Sequence, residues 1–576
     1  MRERVGDSWA CVARAQVRAS GDNGGMTEPV NIAAALPRLA RERAAQVAMR
    51  CPGRDGQYGV ALTYAQLDAR SDAIAAGLAT RGIGRGTRTV VMVRPTPEFF
   101  LLMFALFKAG AVPVLVDPGI DRRALKQCLA EVQAEAFIGI PLAMLAKALL
   151  GWATSARLRI TTGRRAWLAD ATLAGVERAG EGAGPQLAAT DGEDVAAILF
   201  TSGSTGVPKG VVYRHRHFVA QIDMLREAFG IEVGGIDLPT FPPFALFDPA
   251  LGLTSIIPNM DPTRPARADP RKLHAAIRRF GVSQLFGSPA LMRVLADHGE
   301  PLPTVTRVTS AGAPVPPEVV ATMLGLLPPD ARLWTPYGAT ECLPVAVIEG
   351  RELLTLRERT EAGAGTCVGR PVPPNEVRII RIDDGAIPEW RDDLQVGAGQ
   401  VGEITVAGPS ATDAYFNREA QTALAKIREA LPDGSTRIVH RMGDLGWFDN
   451  EGRLWFCGRK SQRVVVDDLT TLCTEQVEPV FNAHPQVARS ALVGVGPKGA
   501  QRPVLVVELA AGTGKGEWPR IEGELRHLAD GYVHTAKVEG FLHHPRPLPV
   551  DIRHNAKIGR EQLAAWAATQ PIREQV

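Results

Sequence analysis

Apolar segments with the spacing of β-strands alternate with helix-like segments through the first three quarters of the chain. Residues 65–80 and 98–109 have the apolar spacing of helices, whereas residues 89–93 and 112–116 are short apolar runs typical of buried strands. Such alternation favours parallel sheets that are covered by helices. We therefore predict an α/β fold for this part of the chain.

The pattern changes near residue 457, where strand-like and helix-like segments follow each other in a mixed order. This order predicts a compact α+β unit at the C-terminal end of the chain. Residues 1–25 are polar and rich in Arg, so we expect a disordered tail there, with Met26 as an alternative first residue. The predicted organisation is a tail at residues 1–25, a large N-terminal domain at 26–457, a hinge at 458–461 and a small C-terminal domain at 462–576.

Composition excludes several classes of protein. A chain of 576 residues that is 45% hydrophobic can bury a large core, and its net charge of +3 is too small to indicate a nucleic-acid partner. The seven cysteines form no CxxC pair and residues 1–25 contain no apolar signal segment, which favours a cytoplasmic protein. The longest apolar runs, 99–107 and 136–146, are too short to span a bilayer.

A run rich in glycine and hydroxyl groups, TSGSTGVPKG at 201–210, follows an apolar segment. Glycines let a backbone approach oxyanions closely, and amides and hydroxyls bind them. Lys209 is notable because the chain contains few lysines. The run therefore predicts a phosphate-binding loop, although a flexible surface loop is the alternative. It is not a Walker loop, since Gly210 follows Lys209.

This run resembles the phosphate loop of the adenylate-forming superfamily, which contains acyl-CoA synthetases, luciferases and the adenylation domains of peptide synthetases. Further segments resemble that family's motifs in the same order: SAGAP at 310–314, YGATE at 337–341, HRMGDL at 440–445, GR at 458–459 and NAKIG at 555–559. The resemblance covers about residues 30–565. It implies a two-domain fold with a mobile C-terminal lid, and ATP and Mg²⁺ as cofactors.

The resemblance also implies which residues bind the nucleotide. In the family's pattern Tyr337 stacks on adenine and Asp444 binds the ribose hydroxyls, and an apolar ring and a carboxylate suit those partners. The structural alternatives are a core position for Tyr337 and an ion pair for Asp444. The residues implied to bind ATP or AMP are Thr201, Ser202, Gly203, Ser204, Thr205, Gly206, Gly312, Ala313, Pro314, Tyr337, Gly338, Asp444 and Arg459.

Four further positions carry the implied chemistry. Glu341 supplies a hard carboxylate oxygen for Mg²⁺, and its alternative is a structural ion pair. Lys209, Thr340 and Lys557 are the implied catalytic residues. From the mobile domain, the Lys557 ammonium stabilises the charge that develops on the α-phosphate, and its alternative is a solvated surface charge.

The hinge region departs from the family's pattern. Ser461 replaces the usual hinge Asp or Lys, and Asp467 replaces a Gly in the hairpin that helps to form the pantetheine path in thioester-forming members. A negatively charged side chain in place of Gly at this position argues against a thiol as the acceptor of the acyl group. Drift at a tolerant hinge is the alternative explanation.

Residues 241–252, 544–545 and 549–558 resemble the β-lactone synthetases of bacterial long-chain olefin biosynthesis. That resemblance implies ATP-dependent adenylation of a long-chain β-hydroxy acid, followed by attack of the β-hydroxyl on the carbonyl. It implies other enzymes of the olefin pathway as partners. The base that accepts the hydroxyl proton is not identified, and His215, His217 and His440, the histidines nearest the motifs, are each better explained as structural residues.

An aromatic segment is expected to bind the acyl chain. By family position Phe241, Phe244 and Phe247 line the acyl pocket, and an ordinary core is the alternative. The apolar residues 137–152 are interpreted as a helix. It lies at the mouth of an acyl tunnel, or contacts a membrane surface or a partner enzyme, or is simply buried or half-buried. Two other functions stay open: a long-chain fatty acyl-CoA or acyl-AMP ligase, and a nucleotide-binding protein without catalysis.

Overall fold

The computed structural model describes residues 30–53, 55–117, 119–201, 208–550 and 558–571. The predicted tail at 1–25, the loop residues Ser202–Gly206 and Lys557 lie outside the described residues. The strands as far as residue 459 are β1 (Val47–Cys51), β2 (Val60–Thr63), β3 (Arg88–Met92), β4 (Val112–Val116), β5 (Ala136–Gly139), β6 (Leu158–Thr161), β7 (Ala171–Thr172), β8 (Val195–Thr201), β9 (Lys209–Arg214), β10 (Ile236–Pro239), β11 (Thr254–Ile256), β12 (Gln284–Gly287), β13 (Arg307–Ser310), β14 (Arg332–Ala339), β15 (Cys342–Glu349), β16 (Thr366–Pro371), β17 (Glu376–Ile380), β18 (Gly402–Ala407), β19 (Lys426–Ala430), β20 (Thr436–Phe448) and β21 (Leu454–Arg459).

Helices alternate with most of these strands and cover the sheets. The α-helices of the same part are α1 (Ala35–Glu42), α2 (Tyr64–Ala79), α3 (Pro97–Lys108), α4 (Arg122–Glu131), α5 (Pro141–Leu150), α6 (Leu173–Gly180), α7 (His215–Phe229), α8 (Asp248–Leu251), α9 (Pro270–Phe280), α10 (Pro289–His298), α11 (Pro317–Leu326), α12 (Gly350–Thr355), α13 (Arg357–Glu361) and α14 (Glu419–Ala425). The predicted α/β fold is confirmed, and the predicted strand at 112–116 coincides with β4.

Two large sheets form this part. Among the described residues, one has the order β7-β6-β5-β3-β4-β8-β9, parallel except for the β8–β9 pair. The other runs β17-β18-β20-β21-β16-β15-β14-β13-β12-β10-β11-β1-β2, with β19 paired to β20. In this order, neighbouring strands from β14 to β10 pair in parallel, as do β11 and β1. Neighbouring strands from β15 to β21 pair antiparallel instead. Strands β18 and β21 thus belong to the antiparallel part of this sheet.

Helix α3 explains the apolar run at 99–107. Its residues from Phe99 to Lys108 are all buried in the largest core cluster, so the run is a core helix. The Lys108 ammonium is neutralised by the carboxylates of Asp68 and Asp72, each 2.6 Å away. Among the residues that the structure describes, no helix has both the length and the apolar content needed to cross a bilayer.

The prediction of one helix over residues 137–152 is wrong. Residues 136–139 form the buried strand β5, and Pro141 then begins the separate helix α5. The physical reason is that Pro disfavours helical backbone at the residue before it, so Ile140 is extended and caps the new helix. Gly151 ends α5 in the left-handed conformation.

The chain after residue 459 forms a smaller α+β unit, as predicted. Strands β22 and β23 pair as a hairpin, and β24, β25 and β26 form a second sheet. The remaining elements are β22 (Val464–Val465), β23 (Thr471–Leu472), α15 (Thr474–Asn482), β24 (Val487–Val495), β25 (Arg502–Leu509), α16 (Trp518–Asp530), β26 (Gly540–His543) and α17 (Arg560–Ala567). The unit has its own apolar core and contacts the large part through α15, where the Thr366 hydroxyl donates to Glu475 Oε2 at 2.9 Å.

Candidate active site

The aromatic segment and the SAGAP and YGATE motifs lie at one edge of the large mixed sheet. Strands β10, β12, β13 and β14 are neighbours and run parallel, so the segments that follow them lie at the same edge. These segments begin at Thr240, Ser288, Ala311 and Thr340. In open α/β sheets the crevice outside the carboxyl ends of parallel strands is the usual ligand site.

The YGATE motif forms the end of β14 and the turn into β15. Tyr337 and Gly338 lie on β14, and Thr340 and Glu341 connect it to Cys342. A Cβ on Gly338 would lie 2.9 Å from the carbonyl oxygen of Cys342, which is closer than real Cβ contacts allow. Glycine is therefore needed for this hairpin to close.

Thr340 and Glu341 are held by tyrosines from two other elements. The Tyr415 hydroxyl donates to Glu341 Oε1 at 2.6 Å, and the Tyr213 hydroxyl donates to the carbonyl oxygen of Thr340. Lys209, the first residue of β9, places its Nζ 4.8 Å from the centre of the Tyr415 ring. The structure thus brings Lys209, Thr340 and Glu341 together, as the resemblance implies.

Behind these residues lies a buried ammonium that the sequence analysis missed. Lys426 Nζ donates to the carbonyl oxygen of Thr412, and the Thr412 amide donates to the carbonyl oxygen of Glu341 at 2.9 Å. Burial lowers the pKa of Lys426 to about 8. The chain contains only eleven lysines. This scarcity drew attention to Lys209 in the sequence, and the same signal could have drawn attention to Lys426.

The predicted nucleoside residues also lie together. The Tyr337 hydroxyl donates to Asp444 Oδ2 at 2.6 Å, and Arg459 Nη1 lies 2.9 Å from Asp444 Oδ1. Within the described part of the chain Oδ1 has no partner in hydrogen-bond geometry, so it can accept from a ligand. Burial raises the pKa of Asp444, and the Arg459 guanidinium opposes that rise. The Tyr337 ring also faces Phe456, with ring centres 5.8 Å apart.

The SAGAP segment follows β13 at the same edge. Gly312 has a φ of 103°, which an L side chain rarely adopts. Ala313 is half-buried and Pro314 is exposed. The segment can therefore present backbone groups to a ligand, although the structure records no side-chain contact that distinguishes its adenine role.

The three phenylalanines of the predicted acyl pocket form one aromatic cluster. Phe241 and Phe244 have ring centres 5.3 Å apart, and Phe244 lies 4.4 Å from the ring of Phe286 on β12. Phe241 and Phe244 are half-buried, whereas Phe247 is buried and faces Phe218 of α7 at 6.1 Å. Phe241 and Phe244 are thus better placed than Phe247 to contact a ligand.

The three histidines considered as bases occupy structural positions. His215 Nδ1 accepts from the amide of Ile32, and His217 Nδ1 accepts from the amide of Arg214. Burial lowers the pKa of His215 to about 4 and also lowers that of His217. His440 lies against the carbonyl oxygen of Ala425, and burial lowers its pKa well below the ordinary value, with a contribution from Lys426.

Several predicted residues are placed only in part or not at all. The backbone of Thr201 ends β8 and pairs with Lys209, the first residue of β9. Ser202, Gly203, Ser204, Thr205 and Gly206 are outside the described residues, as is Lys557. The residues that flank the segment of Lys557, Val550 and Ile558, form an antiparallel bridge.

Comparisons with known proteins show the family of the chain. A family model described as AMP-binding enzyme matches residues 36–416. The chain belongs to this family. It is 69% identical over 557 residues to the olefin beta-lactone synthetase of Xanthomonas campestris pv. campestris, covering 96% of this chain and 100% of that protein. It is equally identical over 551 residues to the olefin beta-lactone synthetase of Stenotrophomonas maltophilia, covering 95% and 99%.

Solved structures share the fold. The amide bond synthetase McbA from Marinactinospora thermotolerans superposes with a TM-score of 0.73 at 23% identity, covering 93% of this chain and 99% of that protein. This likeness extends across both the large sheets and the small α+β unit. The protein is therefore an enzyme of the adenylate-forming type, whose members use ATP, typically with Mg²⁺.

Proposed function

We propose that the protein adenylates a long-chain β-hydroxy acid and closes it to a β-lactone, releasing pyrophosphate and then AMP, in olefin biosynthesis. The observation that carries this proposal is the 69% identity, over nearly the full length, to two proteins named olefin beta-lactone synthetase. The acyl-CoA or acyl-AMP ligase alternative has less support, since Asp467 stands in the exposed β22–β23 hairpin where thioester-forming members carry Gly. Its carboxylate is fixed by a bond from the Leu469 amide.

The phosphate side would hold the triphosphate through Lys209, Thr340 and the loop at 201–206. The carboxylate of Glu341 is the hard oxygen donor that Mg²⁺ prefers, and Glu341 and Lys209 both contact Tyr415, so the residues present fit a magnesium-bound phosphate. Bound Mg²⁺ would neutralise phosphate charge during attack on the α-phosphorus. The Tyr415 hydroxyl and the Thr412 amide would keep Glu341 in position.

The nucleoside side would bind adenosine through Tyr337, Asp444 and Arg459. Asp444 Oδ1 is buried and forms an ion pair with Arg459 Nη1 at 2.9 Å, and as a carboxylate oxygen it can also accept a hydrogen bond from a ribose hydroxyl. The Tyr337 ring offers an aromatic face beside the same carboxylate. Gly312, Ala313, Pro314 and Gly338 would complete the adenine side.

The reaction needs two bond exchanges. First, a carboxylate oxygen of the substrate bonds to the α-phosphorus, and pyrophosphate leaves. Then the β-hydroxyl oxygen bonds to the acyl carbon, the bond from that carbon to the phosphate oxygen breaks, and AMP leaves with its electron pair. The hydroxyl proton passes to a base that the described residues do not identify. Because the four-membered ring is strained, holding the hydroxyl against the carbonyl is the main contribution available to the protein.

The small C-terminal unit would act as the mobile lid. We keep 26–457 as the N-terminal domain, 458–461 as the hinge and 462–576 as the lid. Within the hinge, Arg459 ends β21 and Lys460 begins a short 3₁₀ helix, and the Lys460 ammonium lies 2.9 Å from Glu403 Oε1. Rotation about this point would bring Lys557 to the α-phosphate.

A product assay tests the proposal. The protein is incubated with a long-chain β-hydroxy acid, ATP and Mg²⁺, with and without CoA, and the acyl product is identified by NMR. A β-lactone with AMP, formed without CoA and lost in Lys557→Ala but kept in the surface control Lys498→Ala, is the expected result. An acyl-CoA that forms only with CoA would establish the ligase alternative.

Partners beyond the acid substrate are also proposed. We expect neighbouring enzymes of the olefin pathway, and peripheral contact with an anionic membrane surface through α5. Leu142 and Leu149, seven residues apart on one face, are 64% and 74% exposed, and Trp167 nearby in the sequence is 60% exposed. Arg164 and Arg165 are exposed, and residues 136–169 contain no Asp or Glu. Apolar side chains fringed by positive charge suit anionic headgroups.

Vesicle flotation tests the membrane contact. We expect binding to phosphatidylglycerol vesicles that weakens with salt and is lost in Leu142→Asp/Leu149→Asp. The control Leu424→Asp, which changes a surface leucine that is 45% exposed, should bind normally. Flotation that is the same with pure phosphatidylcholine, or that survives the double substitution, would contradict it.

A further inference from the structure

Two histidines and a glutamate meet outside the residues assigned to the candidate active site. His274 lies on α9 with a side chain that is 1% exposed, and His298 is the last residue of α10. Gly299 follows with a φ of 72°, and this left-handed turn brings Glu300 beside His298. The side chains of His298 and Glu300 are 27% and 29% exposed, so the cluster is open to solvent on one side.

The distances in the cluster suit a small divalent cation. Glu300 Oε2 lies 3.1 Å from His298 Nε2 and 3.7 Å from His274 Nδ1, and one ligand atom from each residue lies within 4.8 Å of the others. Zinc–nitrogen bonds of 2.0–2.1 Å imply about 3.3 Å between neighbouring ligand atoms in a tetrahedral site. Small side-chain rotations would therefore bring all three atoms to one ion.

The buried histidine has no protein partner that explains its position. A separation of 3.7 Å is too long for a hydrogen bond between His274 Nδ1 and Glu300, and His274 Nε2 is buried without a hydrogen-bond partner among the described residues. Buried ring nitrogens in native proteins usually have a partner. A cation at Nδ1 would hold the buried ring through its other nitrogen, the one that faces Glu300.

One positive group shares the glutamate. Arg278 Nη1 contacts Glu300 Oε1, whereas the two histidines face Oε2. The Arg278 side chain is 60% exposed, so it can turn into solvent when a cation approaches. The guanidinium therefore lowers the affinity of the cluster for a cation but does not occupy the position between the three ligand atoms.

We propose that His274, His298 and Glu300 bind one divalent transition-metal ion, with water in the fourth position. Two imidazole nitrogens and one carboxylate oxygen favour Zn²⁺, Co²⁺ or Ni²⁺ over Mg²⁺, which prefers six oxygen ligands. The ion would join α9 to the end of α10 and so stabilise the large domain. This site is independent of the nucleotide-binding magnesium and of the β-lactone reaction.

Metal binding by the full-length protein tests the site without any substrate. Protein treated with a chelator and desalted is titrated with ZnCl₂ in excess Mg²⁺, and bound zinc is counted after equilibrium dialysis. The ligand-field absorption of added Co²⁺ reports tetrahedral coordination, and the shift of the melting temperature reports stabilisation. The variants are His298→Ala and Glu300→Gln, which change partly exposed side chains.

The matched control is His484→Ala. His484 Nε2 lies 3.0 Å from Glu524 Oε2, so it forms the same kind of histidine–glutamate pair, to which the described residues add no third ligand. We expect one zinc ion per chain in the wild type and in His484→Ala, and at least tenfold weaker binding with no Co²⁺ band in His298→Ala and Glu300→Gln. The proposal is overturned if the wild type binds no zinc. It is also overturned if His298→Ala and Glu300→Gln both melt like the metal-free wild type and still bind zinc with unchanged affinity.

Discussion

The nucleotide side of the candidate site is made of polar groups from different elements, whereas the acyl side is made of aromatic rings from one short segment and its neighbours. Asp444 and Arg459 come from adjacent strands, and Glu341 is held by Tyr415 from a distant loop. Phe241 and Phe244 are three residues apart and face each other, and Phe244 also packs on Phe286. Hydrogen bonds fix positions within tenths of an ångström, but apolar packing tolerates changes of shape. Substitutions on the two sides should therefore have different kinetic effects.

The largest expected effect is on the phosphate side. Lys209→Met removes an ammonium from beside the Tyr415 ring while keeping the side-chain length, and we expect turnover with any acid to fall about 10²–10³-fold, as for loss of one preorganised charge. The measurement is AMP release at saturating substrates. Lys498→Met is the control, since Lys498 is a 72% exposed surface residue paired with Asp384. Turnover of Lys209→Met within threefold of the wild type would mean that this lysine does not act on the phosphates.

The second effect compares one residue from each side. Phe244→Ala opens the acyl segment, and we expect its kcat/KM to fall about 10–100-fold for long-chain acids and less for short ones, with KM for ATP unchanged. Asp444→Asn weakens a charged acceptor, and we expect KM for ATP to rise about 10–100-fold with the chain-length preference unchanged. Steady-state kinetics over a series of acids measures both. A change of KM for ATP in Phe244→Ala, or of chain-length preference in Asp444→Asn, would show that the two sides are not separate.

The sequence allowed the fold class and the nucleotide side to be predicted, because both depend on local signals. Alternating apolar segments encode the sheets, and the YGATE motif encodes its own hairpin through Gly338. Lys426 and Tyr415 were missed because they act through contacts with residues far away in the chain: Tyr415 bonds to Glu341, 74 residues away. The helix predicted at 137–152 was wrong because hydrophobic content alone does not distinguish a buried strand from a helix, and Pro141 marks the division.

The smallest expected effect concerns the contact between the large part and the small unit. Glu475 accepts from Thr366, and burial, together with the Glu478 carboxylate, raises its pKa to about 7 from 4.5. Because the folded state then binds a proton more tightly than the unfolded state, this group lowers stability as pH rises from about 4.5 to 7. Glu475→Gln resembles the protonated form and should remove this dependence.

We therefore expect Glu475→Gln to unfold like the wild type near pH 5 and to be more stable by about 1–2 kcal/mol at pH 8, measured by urea denaturation at both pH values. The control is Glu524→Gln, because hydrogen bonds from Arg520 and His484 lower the pKa of that surface carboxylate and the substitution should give no gain at pH 8. Parallel pH profiles for the wild type and Glu475→Gln would contradict the prediction. A higher free energy of unfolding at pH 8, without any change in KM for ATP or for the acid, would show that the contact between the two parts affects stability and does not affect either side of the site.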